Sequence, residues 1–294
     1  MMEYLLGAHG RLRMKGLGLT LALATIPAVC HAQVANGDFS TPGVNGFAQL
    51  NSVPNWSTTD AQKKIEIWKG GTKDPATGRT VSAPPGIAQF AEVNATSHGT
   101  LSQVVNGIKG GSQYGFSFWH RGRHSETEDD KIEVSVKDGA NVWKKTFFTN
   151  AKQWVQYTVT VGTKNGDGPV TLSFESKATA SGNMAVGNFL TGIKLDASVK
   201  PPACVANVGG RYDWTVDNTK NSDGKVYKGV ATLNAADQKA SSTDRTGVWQ
   251  VTNDCKVVID WEPGQFHDVM TATADGKQLT GTNQINSIIT GVRK

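Results

Sequence analysis

From residue 34 onward the apolar residues of this chain recur at every second position, and no window repeats them at three and four over three turns. That period is the spacing of a half-buried strand, whose successive side chains point to opposite faces. The chain is therefore expected to be nearly all β. Runs of this kind lie at 65–68 (IEIW), 89–94 (QFAEVN), 100–105 (TLSQVV), 114–123 (YGFSFWHRGR), 131–138 (KIEVSVKD), 154–162 (WVQYTVTVG), 170–176 (VTLSFES) and 189–196 (FLTGIKLD). About eight strands between residues 34 and 198 suit a jelly-roll sandwich, in which two antiparallel sheets bury their inner faces against each other. The stretch 69–86, rich in proline and glycine, reads as a long loop with no regular element, of the functional or mobile kind.

Lys200, Pro201, Pro202 and Ala203 mark the best boundary. A Pro-Pro pair is stiff and lacks amide donors, which suits a linker at 200–203 between a domain at 33–199 and a smaller one at 204–294. Beyond it the strands shorten: RYDWTV, VYKGVATL, TGVWQV, KVVIDW, DVMTATA, KQLTGTNQI and IITGVRK. Seven such runs predict a small antiparallel barrel or half-barrel. Trp214, Trp249 and Trp261 recur on them and read as core and rim packing.

Ahead of the first strand, Arg11, Arg13 and Lys15 precede an apolar run at 16–29, and Cys30 and Ala32 put small residues where a signal peptidase reads. Residues 1–32 are thus expected to be a signal peptide, and the protein to be secreted or periplasmic; the run is too short for a comfortable membrane span. Cys204 and Cys255 then remain as an even pair, which in an exported chain reads as a disulfide. Closing a loop of about fifty residues stabilises the fold by roughly 4 kcal/mol. A formal net charge of only +5, carried by scattered basic residues, argues against a nucleic-acid partner.

The richest set of polar and aromatic groups sits on the runs at 65–68 and 89–123: Glu66, Glu92, Asn94, His120, Arg121 and Arg123, beside Trp68 and Trp119. If Ile65 and Ile67 face inward, Glu66 and Trp68 point out together. Ion pairing between strand ends is the competing account of the charges. His120 and His124, four apart on an extended chain, stand about 13 Å from each other and do not suggest a metal site. No G-x-S-x-G, H-E-x-x-H or phosphate-cradling motif occurs, which leaves Glu66 and Glu92 as the one carboxylate pair considered for glycoside cleavage.

The order NGDFS, VPNW, IEIW, QFAEVNA, TLSQVV, YGFSFWHRGR and GNFLTGIKLD resembles the galactose-binding-like jelly-roll domains of secreted bacterial proteins, close to the carbohydrate-binding modules of that fold. The resemblance spans residues 34–198 and implies a non-catalytic, exported protein that binds glycan or polysaccharide through the jelly roll. Sugar rings have apolar faces and polar rims, so Trp68 or Trp56 is the expected stacking residue, with Glu66, Glu92, Asn94, His120, Arg121 and Arg123 around the hydroxyls. Many such modules hold a structural Ca²⁺ between an acidic residue of the first strand motif and an Asp near the last strand. Here those places look like Ser40 and Thr191; Asp38 and Asp196 lie nearby in sequence and carry the oxygen ligands that Ca²⁺ takes. No other cofactor is implied. GRYDWTV, TGVWQV, DGKQLTGTNQI and ITGVRK resemble small lipocalin-like, calycin-type barrel domains, which implies a barrel and no particular ligand. The alternatives are a structural or adhesive extracellular protein with protein partners and, second, a polysaccharide-cleaving enzyme. Burial of Trp68, Glu92 and Arg121 separates the first of these from a ligand face.

Overall fold

The computed structural model describes residues 33–196, 202–220, 223–261 and 266–294. The expected signal peptide and half of the expected linker, Lys200 and Pro201, lie outside them. Thirteen strands are described before the linker: β1 (Phe47–Leu50), β2 (Ser57–Thr58), β3 (Ile65–Lys69), β4 (Thr72–Lys73), β5 (Thr80–Val81), β6 (Gln89–Glu92), β7 (Thr100–Val105), β8 (Gln113–Arg121), β9 (Asp130–Asp138), β10 (Asn141–Thr149), β11 (Val155–Thr163), β12 (Val170–Ala178) and β13 (Phe189–Asp196). They make a six-stranded sheet, in the order β1-β3-β6-β13-β8-β11, and a five-stranded sheet, β10-β9-β12-β7-β2. The period of two does its work here: Ile65, Ile67, Phe116, Phe118 and Tyr157 of the first sheet and Ile132, Val134, Leu172 and Phe174 of the second are buried in one core between them.

The short edge strands β1 and β2, strand β10 and the hairpin β4-β5 depart from the sequence reading. Strand β10 is absent from the predicted runs because Lys145 occupies an inward position between Trp143 and Phe147 and breaks the alternation; its amine lies 5.6 Å from the Phe147 ring centroid. The stretch 69–86 does supply a regular element, the small hairpin β4-β5. The Asp74 carboxylate accepts from the Ala76 N–H and the Thr77 hydroxyl in the hairpin's turn. The segment lies over the outer face of the six-stranded sheet, where Val81 and Ala83 join Trp68, Phe90, Phe189 and Trp154 in a second, smaller core. Trp154 Nε1 ties it down through the Ser82 carbonyl.

The tail opens with a short helix, α1 (Ala203–Asn207), and continues as β14 (Gly210–Asp217), β15 (Val226–Leu233), β16 (Lys239–Ser241), β17 (Thr246–Val251), β18 (Lys256–Trp261), β19 (Phe266–Ala272), β20 (Gln278–Asn283) and β21 (Ile288–Arg293). These eight strands form a closed antiparallel barrel, sealed where β21 pairs with β14. The eighth strand, unread in sequence, is the three-residue β16. The Cys204–Cys255 disulfide is formed, at a Cα separation of 5.7 Å that fits an unstrained bridge, and it joins α1 to the turn before β18.

Sandwich and barrel belong to one compact unit. The barrel is docked on the sandwich's open side, where β10 and β11 are the edge strands. Two glutamine carboxamides imitate a neighbouring strand there. Gln238 Oε1 accepts from the Thr146 N–H at 2.9 Å while its Nε2 donates to the Thr146 carbonyl at 2.8 Å. Gln250 does the same for Phe148, accepting from its N–H at 2.9 Å and donating to its carbonyl. Asn253 adds bonds to the Gln156 carbonyl and the Thr158 hydroxyl of β11. Backbone groups that an edge strand leaves open are thus satisfied by side chains.

Candidate functional site

The sequence-predicted face exists, but it is not at the surface. Glu66, Trp68, Glu92, Arg121 and Arg123 do share the outer side of the six-stranded sheet, with Glu66 opposite Glu92 and Trp68 opposite Phe90 in register. The 69–86 segment covers it, and Trp68 and Glu92 are both 0% exposed. Arg123 is the hub. Its Nη1 meets both Glu92 oxygens at 2.8 Å, its Nη2 meets Asp74 Oδ1 at 2.7 Å, and its Nε meets Asp74 Oδ2 at 3.2 Å. The guanidinium also lies 4.8 Å from the Trp68 ring centroid. Glu66 accepts from Trp68 Nε1 and from Gln49 Nε2, each at 2.8 Å. Burial, the largest single influence, raises the Asp74 carboxyl, but the Arg123 hydrogen bonds and charge, together with the Ala76 N–H and the Thr77 hydroxyl, outweigh it and hold Asp74 below its ordinary value. Burial pushes Glu92 well above its ordinary value, with Arg123 pulling against it. Arg121, half-buried, donates to the Ala151 carbonyl.

Glu66, Trp68, Glu92 and Arg123 are thus bonded among themselves, to Gln49 and to Asp74, and the 69–86 segment lies over the face where sugar contact was expected, so burial of Trp68 and Glu92 favours a structural role for this face. Trp56, the other expected stacking residue, is 6% exposed and packs on Phe39 and Phe174. Asn94 and His120 are separated from the set altogether: β6 ends at Glu92, and Asn94 beyond it donates to Ser176 Oγ and the Met184 carbonyl, while His120 points to the face opposite its neighbour Arg121. At the expected Ca²⁺ position, Asp38 is exposed and accepts from the Ser40 N–H of its own turn, while Thr191 donates to the carbonyls of Gln89 and Asp38. The Asp196 side chain lies outside the described residues.

His120 belongs to a buried polar chain at the end of the sandwich core. Its Nε2 faces Asn188 Oδ1 at 2.9 Å and its Nδ1 faces Thr149 Oγ1 at 3.0 Å. The Asn188 amide donates to Ser176 Oγ and Asn94 Oδ1, so Asn188 Oδ1 is the acceptor and the His120 proton sits on Nε2. Burial pulls the imidazolium down to about 4, the Asn188 contact opposing. The unfolded chain takes up a proton near pH 6.5 that the native protein refuses until near pH 4, so stability falls as pH drops through that window. Urea titrations between pH 7 and pH 4 are expected to show a loss on the order of 3 kcal/mol from this group. A His120→Gln variant, which cannot titrate, is expected to lack it; an unchanged pH profile in that variant would assign the loss elsewhere.

The site that sequence reasoning missed is the mouth of the barrel, a cavity of about 530 Å³. Trp214 and Trp261, read as packing, line it in an edge-to-face pair with centroids 6.3 Å apart; Trp249, by contrast, is spent on packing and on the Asn234 carbonyl. Trp261 Nε1 donates to Asp268 Oδ2 at 2.5 Å, and burial pushes that carboxyl up to about 6 against this bond. Arg245 lies 4.1 Å over the Phe266 ring. Asn218 follows β14 and Ser287 precedes β21, whose ends pair at Asp217 and Ile288, so the two flank the seam where the barrel closes. Both line the cavity, and among the described residues neither Asn218 Oδ1 nor Ser287 Oγ has a hydrogen-bond partner although both atoms are buried.

No protein-family model matches the chain, and neither does any curated protein. Solved structures are similar to it over a little more than half its length. The module TmCBM61, in complex with β-1,4-galactotriose, covers 55% of this chain and 95% of its own at 17% identity and a TM-score of 0.36. The CBM22-1 xylan-binding domain of Paenibacillus barcinonensis Xyn10C covers 52% and 96% at 9% identity and a TM-score of 0.33. The arabinose-bound α-L-arabinofuranosidase MgGH51 covers 56% of this chain and 26% of its own at 10% identity and a TM-score of 0.36.

Proposed function

We propose that the protein is an exported, non-catalytic carbohydrate binder and that the barrel mouth seats the sugar. The observation that carries this is the pair of buried, unpartnered polar atoms, Asn218 Oδ1 and Ser287 Oγ, in an open cavity that Trp214 and Trp261 also line. A buried polar atom left unpaired costs about 1–3 kcal/mol, a cost that ligand hydroxyls would relieve once the Asn218 and Ser287 side chains turn toward the cavity they line. Trp214 and Trp261, 7% and 4% exposed, supply an apolar wall to the cavity against which the apolar side of a sugar ring could rest. The volume lies within the roughly 300–1,000 Å³ usual for small-molecule sites, and barrel mouths are common places for them. The likeness of residues 34–198 to carbohydrate-binding jelly rolls points to the same ligand class. A disulfide accords with an exported chain. Binding is favoured over cleavage because the carboxylates considered for acid–base work are engaged, Glu66 with Trp68 and Gln49, and Glu92 with Arg123.

The test is a glycan array and affinity electrophoresis on the full chain, followed by an Asn218→Ala, Ser287→Ala variant. Retention of at least one glycan is expected. It should weaken at least about tenfold in the variant, the loss of one or two ligand hydrogen bonds, with circular dichroism unchanged. Undiminished retention would move the seat away from the barrel, and an array with no retained glycan would remove the reading.

A further inference from the structure

Where sandwich and barrel touch, Asp129, Asp260 and His267 converge. Asp129 comes from the segment leading into β9. Asp260 of β18 and His267 of β19 are cross-strand partners in the barrel wall. His267 Nδ1 lies 2.7 Å from Asp260 Oδ1 and 3.7 Å from Asp129 Oδ2, and one oxygen or nitrogen from each residue falls within 4.8 Å of the others.

Asp129 is the unusual member. Its side chain is only 5% exposed, and among the described residues its nearest charged partner is His267 at 3.7 Å, beyond hydrogen-bond length. Elsewhere in this fold buried carboxylates are well served. Asp130, next in the chain, accepts from the N–H groups of Arg123, Ala180 and Asn188. A buried carboxylate is costly unless paired and hydrogen-bonded, or bound to a metal. Among the described residues no hydrogen bond reaches the Asp129 carboxylate, which faces the other two groups and keeps only a narrow contact with solvent.

We propose that Asp129, Asp260 and His267 bind one Zn²⁺ ion that pins the barrel to the sandwich. Two carboxylates and a neutral imidazole balance a divalent charge and offer the oxygen and nitrogen donors zinc accepts, at bonds of about 2.0–2.2 Å. Around a tetrahedral ion, donors at those lengths stand about 3.3 Å apart. The 2.7 and 3.7 Å separations from His267 bracket that value, and the two carboxylates lie within 4.8 Å of each other, so closing on an ion requires Asp129 and Asp260 to draw together. The His267 N–H is held by Gln284 Oε1, which fixes the residue's backbone at the site. Lys131 Nζ, 3.5 Å from Asp260 Oδ2, is partly exposed and free to turn to solvent when the cation enters. His267 is 23% exposed, which leaves the fourth position to water. Because strand neighbours alternate, the ion would sit on the outer side of the wall whose inner side carries Trp261 and Asp268.

The test is calorimetric titration of the EDTA-stripped full chain with ZnCl₂, beside Asp129→Asn and His267→Gln variants. The expected result is one equivalent bound by the wild type, an affinity at least about a hundredfold weaker in each variant, and a zinc-dependent rise in thermal midpoint only in the wild type. Asp129→Asn removes a buried charge with no donor, so it is expected to melt no lower than the wild type in EDTA, and lost binding would not reflect misfolding. No uptake by the wild type, or equal uptake and equal thermal shift in the variants, would overturn the proposal.

Discussion

Replacing Arg123 by alanine is expected to lower the unfolding free energy by about 3–5 kcal/mol, the cost of breaking a buried ion pair by removing one partner. The size follows from what stays behind. Glu92, 0% exposed, loses the donor that meets both its oxygens, and Asp74 loses two of the donors that offset its burial. The Gly187 N–H remains for Glu92, and the turn of β4-β5 for Asp74. Trp68 also loses the cation over its ring. Arg123→Lys should recover only part, because a single ammonium cannot match two carboxylates in bidentate fashion. Urea denaturation at pH 7 measures this. A loss under about 1 kcal/mol would mean that the 69–86 segment lifts and lets water reach both carboxylates, since exposed pairs contribute no more than that.

Removing the disulfide is the second large effect. A Cys204→Ala, Cys255→Ala chain is expected to be less stable by roughly 4 kcal/mol on the loop-entropy account, the bridge closing a separation of 51 residues. The loss should appear equally when the wild type is unfolded in excess reductant. If the variant and the oxidised wild type unfold at the same denaturant concentration, residual structure in the unfolded chain already holds the two ends together and the entropic account fails here.

Strands such as IEIW and QFAEVN were legible because one of their faces is uniformly apolar, and that alone fixes a period of two. The same pattern placed Glu66, Trp68 and Glu92 correctly on one face. It could not say whether water or protein lies over that face, because the cover comes from Val81, Ala83 and Asp74 in a stretch with no period at all. Strand β10 was hidden by Lys145, whose apolar stem serves the core while its amine breaks the pattern. The barrel mouth was hidden for a different reason. Asn218 and Ser287 meet only because the first and last strands of the tail pair, and closure is a long-range property that no local window contains. A readable hint was available in Asp268, an acidic residue on the apolar side of its strand.

The docking of the barrel through Gln238 and Gln250 makes the joint insensitive to what β10 is made of and sensitive to how long it is. The two carboxamides read main-chain groups at Thr146 and Phe148, one strand repeat apart. Any residue except proline could stand at either position and still offer the same N–H and carbonyl. A single inserted or deleted residue before Thr149, however, would turn the next peptide groups toward β9 and leave both glutamines facing nothing. The bonds themselves are therefore indifferent to the side chains of β10, though burial of Phe147 and Phe148 is not, and they are intolerant of any change in spacing.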